Sequence, residues 1–112
     1  MTDMLNKYDI VVVRFPFASS LKYKARPAVI ISQKDYNQNS RNTVIIVAIS
    51  SNTKGKLYFE KDIKEWQKAG LLKPSIFKAS VATIEKDYII QKLGTLAEED
   101  KKTLENFLDF IC

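Results

Sequence analysis

Histidine is absent from this chain of 112 residues. Histidine-based general acid–base catalysis and the common histidine-containing zinc sites are therefore excluded. The one cysteine is Cys112, at the last position. No intrachain disulfide and no thiolate metal cluster can form from it, which fits a reducing compartment. A lone thiol at a chain end reads as incidental rather than catalytic. No apolar run approaches the roughly 20 residues that a membrane-spanning helix needs. The opening MTDMLNKYD has no apolar core of signal-peptide length. A cytoplasmic protein without membrane association is expected. Neither G-x-G-x-x-G nor G-x-x-x-x-G-K-[ST] occurs, so nucleotide-cofactor readings have no support. No cofactor is expected. A carboxylate-bound magnesium stays open, although no tight acidic cluster lies in the apolar segments and no metal ligand is assigned.

What is present describes one globular domain, residues 1–112. The chain is 46% hydrophobic and 28% charged, which separates it from disordered sequences, and its length suits a single core. The net charge is +5. Such an excess favours an anionic partner (nucleic acid, an acidic polypeptide or a membrane surface) or serves solubility alone.

No repeat, linker or low-complexity tract interrupts the chain. Apolar, β-branched runs predict strands over residues 9–15, 27–32 and 43–49, with Pro27 at the first position of the second. Weaker patterns predict strands over 56–59, 75–84 and 88–93. Residues 18–24 form a basic loop, and the asparagine-rich stretch 33–42 reads as another loop. Asp62-x-x-Glu65 resembles a capping box and Gly70 suits a helix C′ position, so a short helix is expected over 61–69. Thr95-x-x-Glu98 is a second capping box. Leu104, Phe107, Leu108 and Ile111 then recur at helical spacing, predicting an amphipathic helix over 97–111. Many short strands, one short inserted helix and one closing helix imply a mainly β protein, a small and strongly curved sheet or barrel.

The chemistry-bearing residues cluster in the first half. Arg26 stands directly before Pro27, so its backbone is fixed, and a guanidinium matches phosphate geometry. From the residues alone the plainer reading is an ordinary surface arginine at a strand end, since arginine is mostly exposed. Ser50 and Ser51 end the third strand, where a hydroxyl can donate to a phosphate oxygen or cap its own turn. Lys22, Lys24, Arg41 and Lys54 form a possible basic rim interleaved with Tyr23 and Tyr36. Cations track a phosphate backbone and aromatic rings stack on unpaired bases; the plainer reading is solvated loop charge. Trp66, spaced from Ile63 on one helical face, reads as a packing anchor. Lys73, Pro74 and Ser75 open the fifth strand, and Lys78 on it either reaches a phosphate or faces solvent.

Five segments in order carry a resemblance. YDIVVVRFPF, KARPAVII, TVIIVAISS, WQKAGLLKPSIFK and TIEKDYIIQKLGTL resemble successive parts of the MazF/PemK family, the endoribonuclease toxins of type II toxin–antitoxin systems. The resemblance implies an SH3-like small barrel with a C-terminal helix, acting as a homodimer. It implies metal-independent, sequence-specific cleavage of single-stranded RNA by attack of the RNA's own 2′-hydroxyl. The family's catalytic arginine matches Arg26 and its catalytic threonine matches Ser50. Lys22, Tyr23, Lys24, Ser51, Asn52, Lys54, Lys78 and Ser80 are the expected RNA-binding residues. A cognate antitoxin with an acidic, partly disordered segment is the implied protein partner. The chain departs from the family pattern in three respects. Ser50 replaces threonine, Tyr8 replaces the glycine before the first strand's aspartate, and Lys78 and Ser80 stand where some members carry an arginine and an acid. The alternatives are a non-catalytic RNA- or protein-binding module of the same fold, and a toxin that binds a protein target such as gyrase.

Overall fold

Residues 5–16 and 23–112 are described by the computed structural model. Six strands are present among them: β1 (Asp9–Pro16), β2 (Tyr23–Ile30), β3 (Thr43–Ser50), β4 (Lys61–Ile63), β5 (Ser75–Glu85) and β6 (Ile89–Thr95). Two α-helices accompany them, α1 (Lys34–Asn39) and α2 (Glu98–Ile111). The strands form one antiparallel sheet in the order β4-β5-β3-β2-β1-β6. Register shifts in β1–β6 and β3–β5 add twist where they occur. The sheet curls into a half-barrel, as the mainly β expectation required.

The apolar runs are nearly continuous because the central strands are buried on both faces. Ile10, Val29, Val47 and Ile49 enter the larger cluster, with Phe77, Leu104 and Phe107. Their neighbours Val11, Val13, Ala28, Ile30, Val44 and Ile46 point the other way into a second cluster beside Leu5. Helix α2 closes the first cluster, with the rings of Phe77 and Phe107 stacked 6.2 Å apart.

Several local expectations are corrected. Strand β2 begins at Tyr23, so Pro27 lies inside it opposite Val12 of β1 rather than at its first position. The polar stretch 33–42 contains α1 rather than only a loop. Asn37, buried within it, supplies the anchor that an apolar residue normally would. Its Nδ2 donates to Leu5 O at 2.9 Å and to Ser32 O at 3.2 Å. Ser32 Oγ donates to Asn37 Oδ1 and accepts from Ile45 N.

Residues 56–59 are a turn, not a strand. The Glu60 carboxylate takes the Leu57 N–H at 2.7 Å and the Ala79 N–H of β5 at 2.8 Å, so a side chain occupies the bonds a ladder would use. The turn sets Phe59 against Phe110 of α2 at 4.9 Å, with Tyr58 edge-on to both.

Residues 61–69 hold β4 and a single helical turn instead of a helix. Asp62 is engaged by Lys56, and buried Asp100 of α2 accepts the N–H groups of Lys64 and Glu65, both at 2.9 Å. The helix C′ expectation at Gly70 holds. Gly70 has φ +93°, and the bonds Leu71 N to Trp66 O and Gly70 N to Gln67 O close the turn as a Schellman motif does. Trp66 packs against the main cluster as an anchor. The capping box at Thr95 does not form: Ala97 is the N-cap of α2, and Thr95 Oγ1 donates to buried Asp9 at 2.9 Å.

Tyr8 explains one departure from the family pattern. Its φ of +79° lies where glycine is at ease and other residues are strained by about 1–2 kcal/mol. The side chain offsets that cost. Its hydroxyl donates to Glu105 of α2 at 2.6 Å, and Lys7 and Lys101 each sit 5.2 Å from its ring. Lys7 also pairs with Glu105 at 2.9 Å. The Tyr8 and Lys7 hydrogen bonds hold the Glu105 carboxyl below its usual pKa.

Two expected outcomes follow. A Cβ at Gly94 would lie 2.6 Å from Ala69 O, whereas one at Gly55 would meet only the side chain of Asn52. Gly94→Ala should therefore cost about 1–3 kcal/mol in urea unfolding, and Gly55→Ala at most about 0.5 kcal/mol. Because Glu105 has a folded pKa below its unfolded one, its contribution is complete above the ordinary glutamate range and lost as pH falls through the folded value. Glu105→Gln should lower stability at neutral pH and shrink the loss seen on acidification; an unchanged acid limb would show that the cluster contributes nothing.

Candidate functional site

Pro27 opens the site. Proline has no N–H for a ladder, and the pairing of β2 with β3 ends beside it, at Ala28↔Ala48. Two residues further along each strand stand Arg26 and Ser50. On its other edge β2 stays paired with β1, Val12 lying opposite Pro27 and Val13 opposite Arg26.

A cavity of about 480 Å³ lies at this end of the sheet. Its floor includes Val12, Pro27, Ile49 and Leu93. The chain from Gly70 through Lys73 forms a wall, held down by close backbone approach: a Cβ on Gly70 would lie 2.5 Å from Leu93 O. Arg26, Ser51, Ser75 and Gln91 add to the polar lining, and among the described residues no carboxylate is part of it. Arg26 is exposed. Among the described residues neither Arg26 nor Lys73 is ion-paired, whereas Lys7, Lys56, Lys64, Lys68, Lys92 and Lys101 are.

The residues singled out in the sequence divide. Arg26 and Ser51 share the cavity. Ser50 is not part of its lining; its Oγ accepts the Asn52 N–H at 3.1 Å, the turn-capping arrangement. A hydroxyl that accepts in this way still has its own proton to donate. Asn52 Oδ1 in turn accepts from Gly55 N, and Lys54 is exposed in the same turn. Lys24 is exposed on β2, and Lys78 and Ser80 are exposed on β5 away from the cavity. Tyr36 hydrogen-bonds Thr43 beside α1, and Arg41 is exposed in the turn that follows α1. Lys22 and the side chain of Tyr23 lie outside the described residues. Among the described residues no group of three or more carboxylate or cysteine side chains forms a metal-sized cluster.

Lys73 and Gln91 line the cavity without having been singled out as binding residues. A signal for the first existed: Lys73-Pro74 repeats, ahead of β5, the cation–proline step of Arg26-Pro27. Gln91 is a polar interruption in the run Ile89–Leu93, directly opposite Val12. A second concavity, of about 510 Å³ and lined by Tyr8, Glu98, Lys101, Lys102, Glu105 and Asn106, is of a different kind. Most of its charges are already paired, Lys101 with Glu98 and Glu105 with Lys7.

The chain matches the family model of the PemK-like, MazF-like toxin of type II toxin–antitoxin systems over residues 6–111. Several solved structures share its fold. An endoribonuclease in complex with its cognate antitoxin, from a mycobacterial species, is 14% identical, with 99% of this chain and 94% of that one covered at a TM-score of 0.71. Toxin MazF-mt6 of Mycobacterium tuberculosis is 20% identical, with coverages of 92% and 94% and a TM-score of 0.72. A MazE–MazF structure from Deinococcus radiodurans is 16% identical, with coverages of 97% and 94% and a TM-score of 0.74. At these identities the likeness is one of fold. No curated protein matches the chain by sequence.

Proposed function

The chain belongs to the PemK-like, MazF-like toxins of type II toxin–antitoxin systems, and from that membership we propose that it is an endoribonuclease cutting single-stranded RNA without a bound metal. The observation that carries the assignment to this site is the cavity that Arg26 and Ser51 line, where, among the described residues, Arg26 has no ion-pair partner and no carboxylate is in the lining. A phosphodiester brings negative charge, and this site offers cations and hydroxyls to meet it.

In the proposed reaction the 2′-hydroxyl of the RNA attacks the adjacent phosphorus and gives up its proton to solvent water. The bond from phosphorus to the 5′-oxygen breaks, and that oxygen takes up a proton from solvent water. The products are a 2′,3′-cyclic phosphate and a 5′-hydroxyl. No protein nucleophile is needed, in keeping with a chain that lacks histidine. Arginine stays protonated throughout the physiological range, so Arg26 serves as a charge stabiliser for the non-bridging oxygens rather than as a base. Ser50, matched to the family's catalytic threonine, lies outside the cavity lining, where its Oγ accepts the Asn52 N–H; its own O–H serves as a hydrogen-bond donor to one of those oxygens. Ser51, Asn52 and Lys54 guide the strand, with Lys22, Tyr23, Lys24, Lys78 and Ser80 as outer contacts. The toxin works as a homodimer in this reading, and its antitoxin engages it through an acidic, partly disordered segment, for which the +5 charge is complementary.

The test is digestion of a long single-stranded RNA in EDTA by the wild type and by Arg26→Ala, Ser50→Ala and Ser51→Ala proteins. Discrete products with cyclic-phosphate ends are expected. Arg26→Ala and Ser50→Ala should each lower kcat by about 100-fold or more. Ser51→Ala should act mainly on KM. Intact RNA with wild-type protein would replace the enzyme reading with that of a binding module of the same fold.

A further inference from the structure

Glu60 is buried, 6% exposed, and its two carboxylate oxygens hold two different segments. One accepts the Leu57 N–H at 2.7 Å, the other the Ala79 N–H at 2.8 Å. Glu60 is no part of the cavity lining, so it acts on the site only through what it holds.

Both segments lead back to Ser50. Leu57 follows the turn that leaves β3 at Ser50, a turn closed by Asn52 N to Ser50 Oγ, Thr53 N to Ser51 O and Gly55 N to Asn52 Oδ1. Ala79 lies on β5, which faces Ser50 through Ile76. Just beyond Ile76 the β3–β5 register slips. Ile49 is opposite Phe77 and Val47 opposite Val81, so Lys78, Ala79 and Ser80 share the space across from Ala48 alone. A bulge of this kind bends its strand and re-aims the side chains on it, and all three residues are exposed instead of alternating. Strand β4 pairs with β5 only from Ser75 to Phe77, so no ladder partner from β4 reaches Ala79. Glu60, directly before β4, supplies the acceptor, and an ionised acceptor makes a hydrogen bond roughly twice as strong as a neutral one.

The result is a closed frame around Ser50. Its cross-strand neighbour Ile76 holds one side, and the turn that follows it is tied through Glu60 to β5 three residues beyond Ile76. Serine has no methyl on Cβ to restrict its rotamer, as threonine has, so the direction of the Ser50 hydroxyl depends on the backbone and bonds around it. The frame sets that direction on the side that matters. Ala28 is opposite Ala48, and Arg26 and Ser50 each stand two residues further along, which places them on the same face of the sheet.

We propose that Glu60 is a positioning residue for RNA cleavage: by tying the end of the Ser50 turn to the β5 bulge, it holds the Ser50 hydroxyl on the face of Arg26 without touching the RNA. The inference rests on the RNA-cleaving reading and adds to it a residue outside the cavity on which the geometry depends.

The test compares two buried carboxylates that each accept two N–H groups. Glu60→Gln keeps the side-chain shape but sets an amide NH2 against one of the two donors. Asp100→Asn does the same at the turn after β4. Urea unfolding, followed by the single tryptophan Trp66, measures folding; digestion of a long single-stranded RNA in EDTA gives kcat and KM. Glu60→Gln should lower kcat about tenfold or more and leave KM within about twofold of wild type. Asp100→Asn should lose stability and keep the wild-type kcat. In a Ser50→Ala background Glu60→Gln should have no further effect on kcat, because the group it positions is gone. Should Glu60→Gln not fold, Ala79→Pro cuts the same tie from the β5 side, at a bulge position where proline is tolerated, and is read in the same way. A wild-type kcat in folded Glu60→Gln would overturn this inference alone. So would an equal loss with and without the Ser50 hydroxyl, or an equal loss in Asp100→Asn. RNA left intact by the wild type would overturn the nuclease reading and this inference with it.

Discussion

Strand β1 is hydrogen-bonded along both edges, to β2 and to β6, and buried on both faces. Every other element takes its place from that constraint. A strand covered on both sides needs two separate covers. Helix α2 provides one through Leu104 and Phe107. Leu5, Ala82, Ile84 and Ile89 contribute to the other. The polar contacts that join these layers are correspondingly few and buried. Asp9 holds Asn6, Thr95 and Lys92 at the start of β1, and Asp100 ties α2 to the turn after β4. Removing either carboxylate would leave partly buried N–H or hydroxyl groups without these partners, which costs stability.

The candidate site exists because that regular arrangement is interrupted at one place. The β2–β3 ladder ends beside Pro27, and the freed strand ends carry Arg26 and the serine pair. The opposite wall comes from a distant part of the chain. It reaches the site only because two glycines let backbones meet at distances that a Cβ would forbid. A proline follows each of the two cations in the lining, Arg26 and Lys73, and restricts the backbone that carries it. The other concavity shows the contrast: there, lysines and glutamates neutralise each other and lock Tyr8 to α2.

Much of this was legible in the residues. The three apolar runs announced β1, β2 and β3, and the i, i+3, i+4 recurrence announced α2. Arg26 before Pro27 pointed to the site. The misread segments share a cause. At 33–42, 56–59 and 61–69 a buried polar side chain with a distant partner decides the backbone: Asn37 bonds Leu5, Glu60 bonds Ala79 of β5, and Asp100 of α2 bonds Lys64 and Glu65. Thr95 likewise forsakes the helix for Asp9. Such partners lie up to dozens of residues away, so no local window contains them.

The amino-acid order alone thus determined which segments bury, that no histidine or thiolate chemistry is available, and which arginine is fixed beside a strand. Those properties follow from composition and from periodicities of two and 3.6 residues, which are local. Only the tertiary structure decided that Lys73 and Gln91 stand with Arg26 around one volume, that Ser51 rather than Ser50 lines it, and that Lys78 does not. Those facts depend on strand register, on a ladder cut short by proline and on glycine-mediated backbone contact, each of which joins residues that the chain itself keeps far apart.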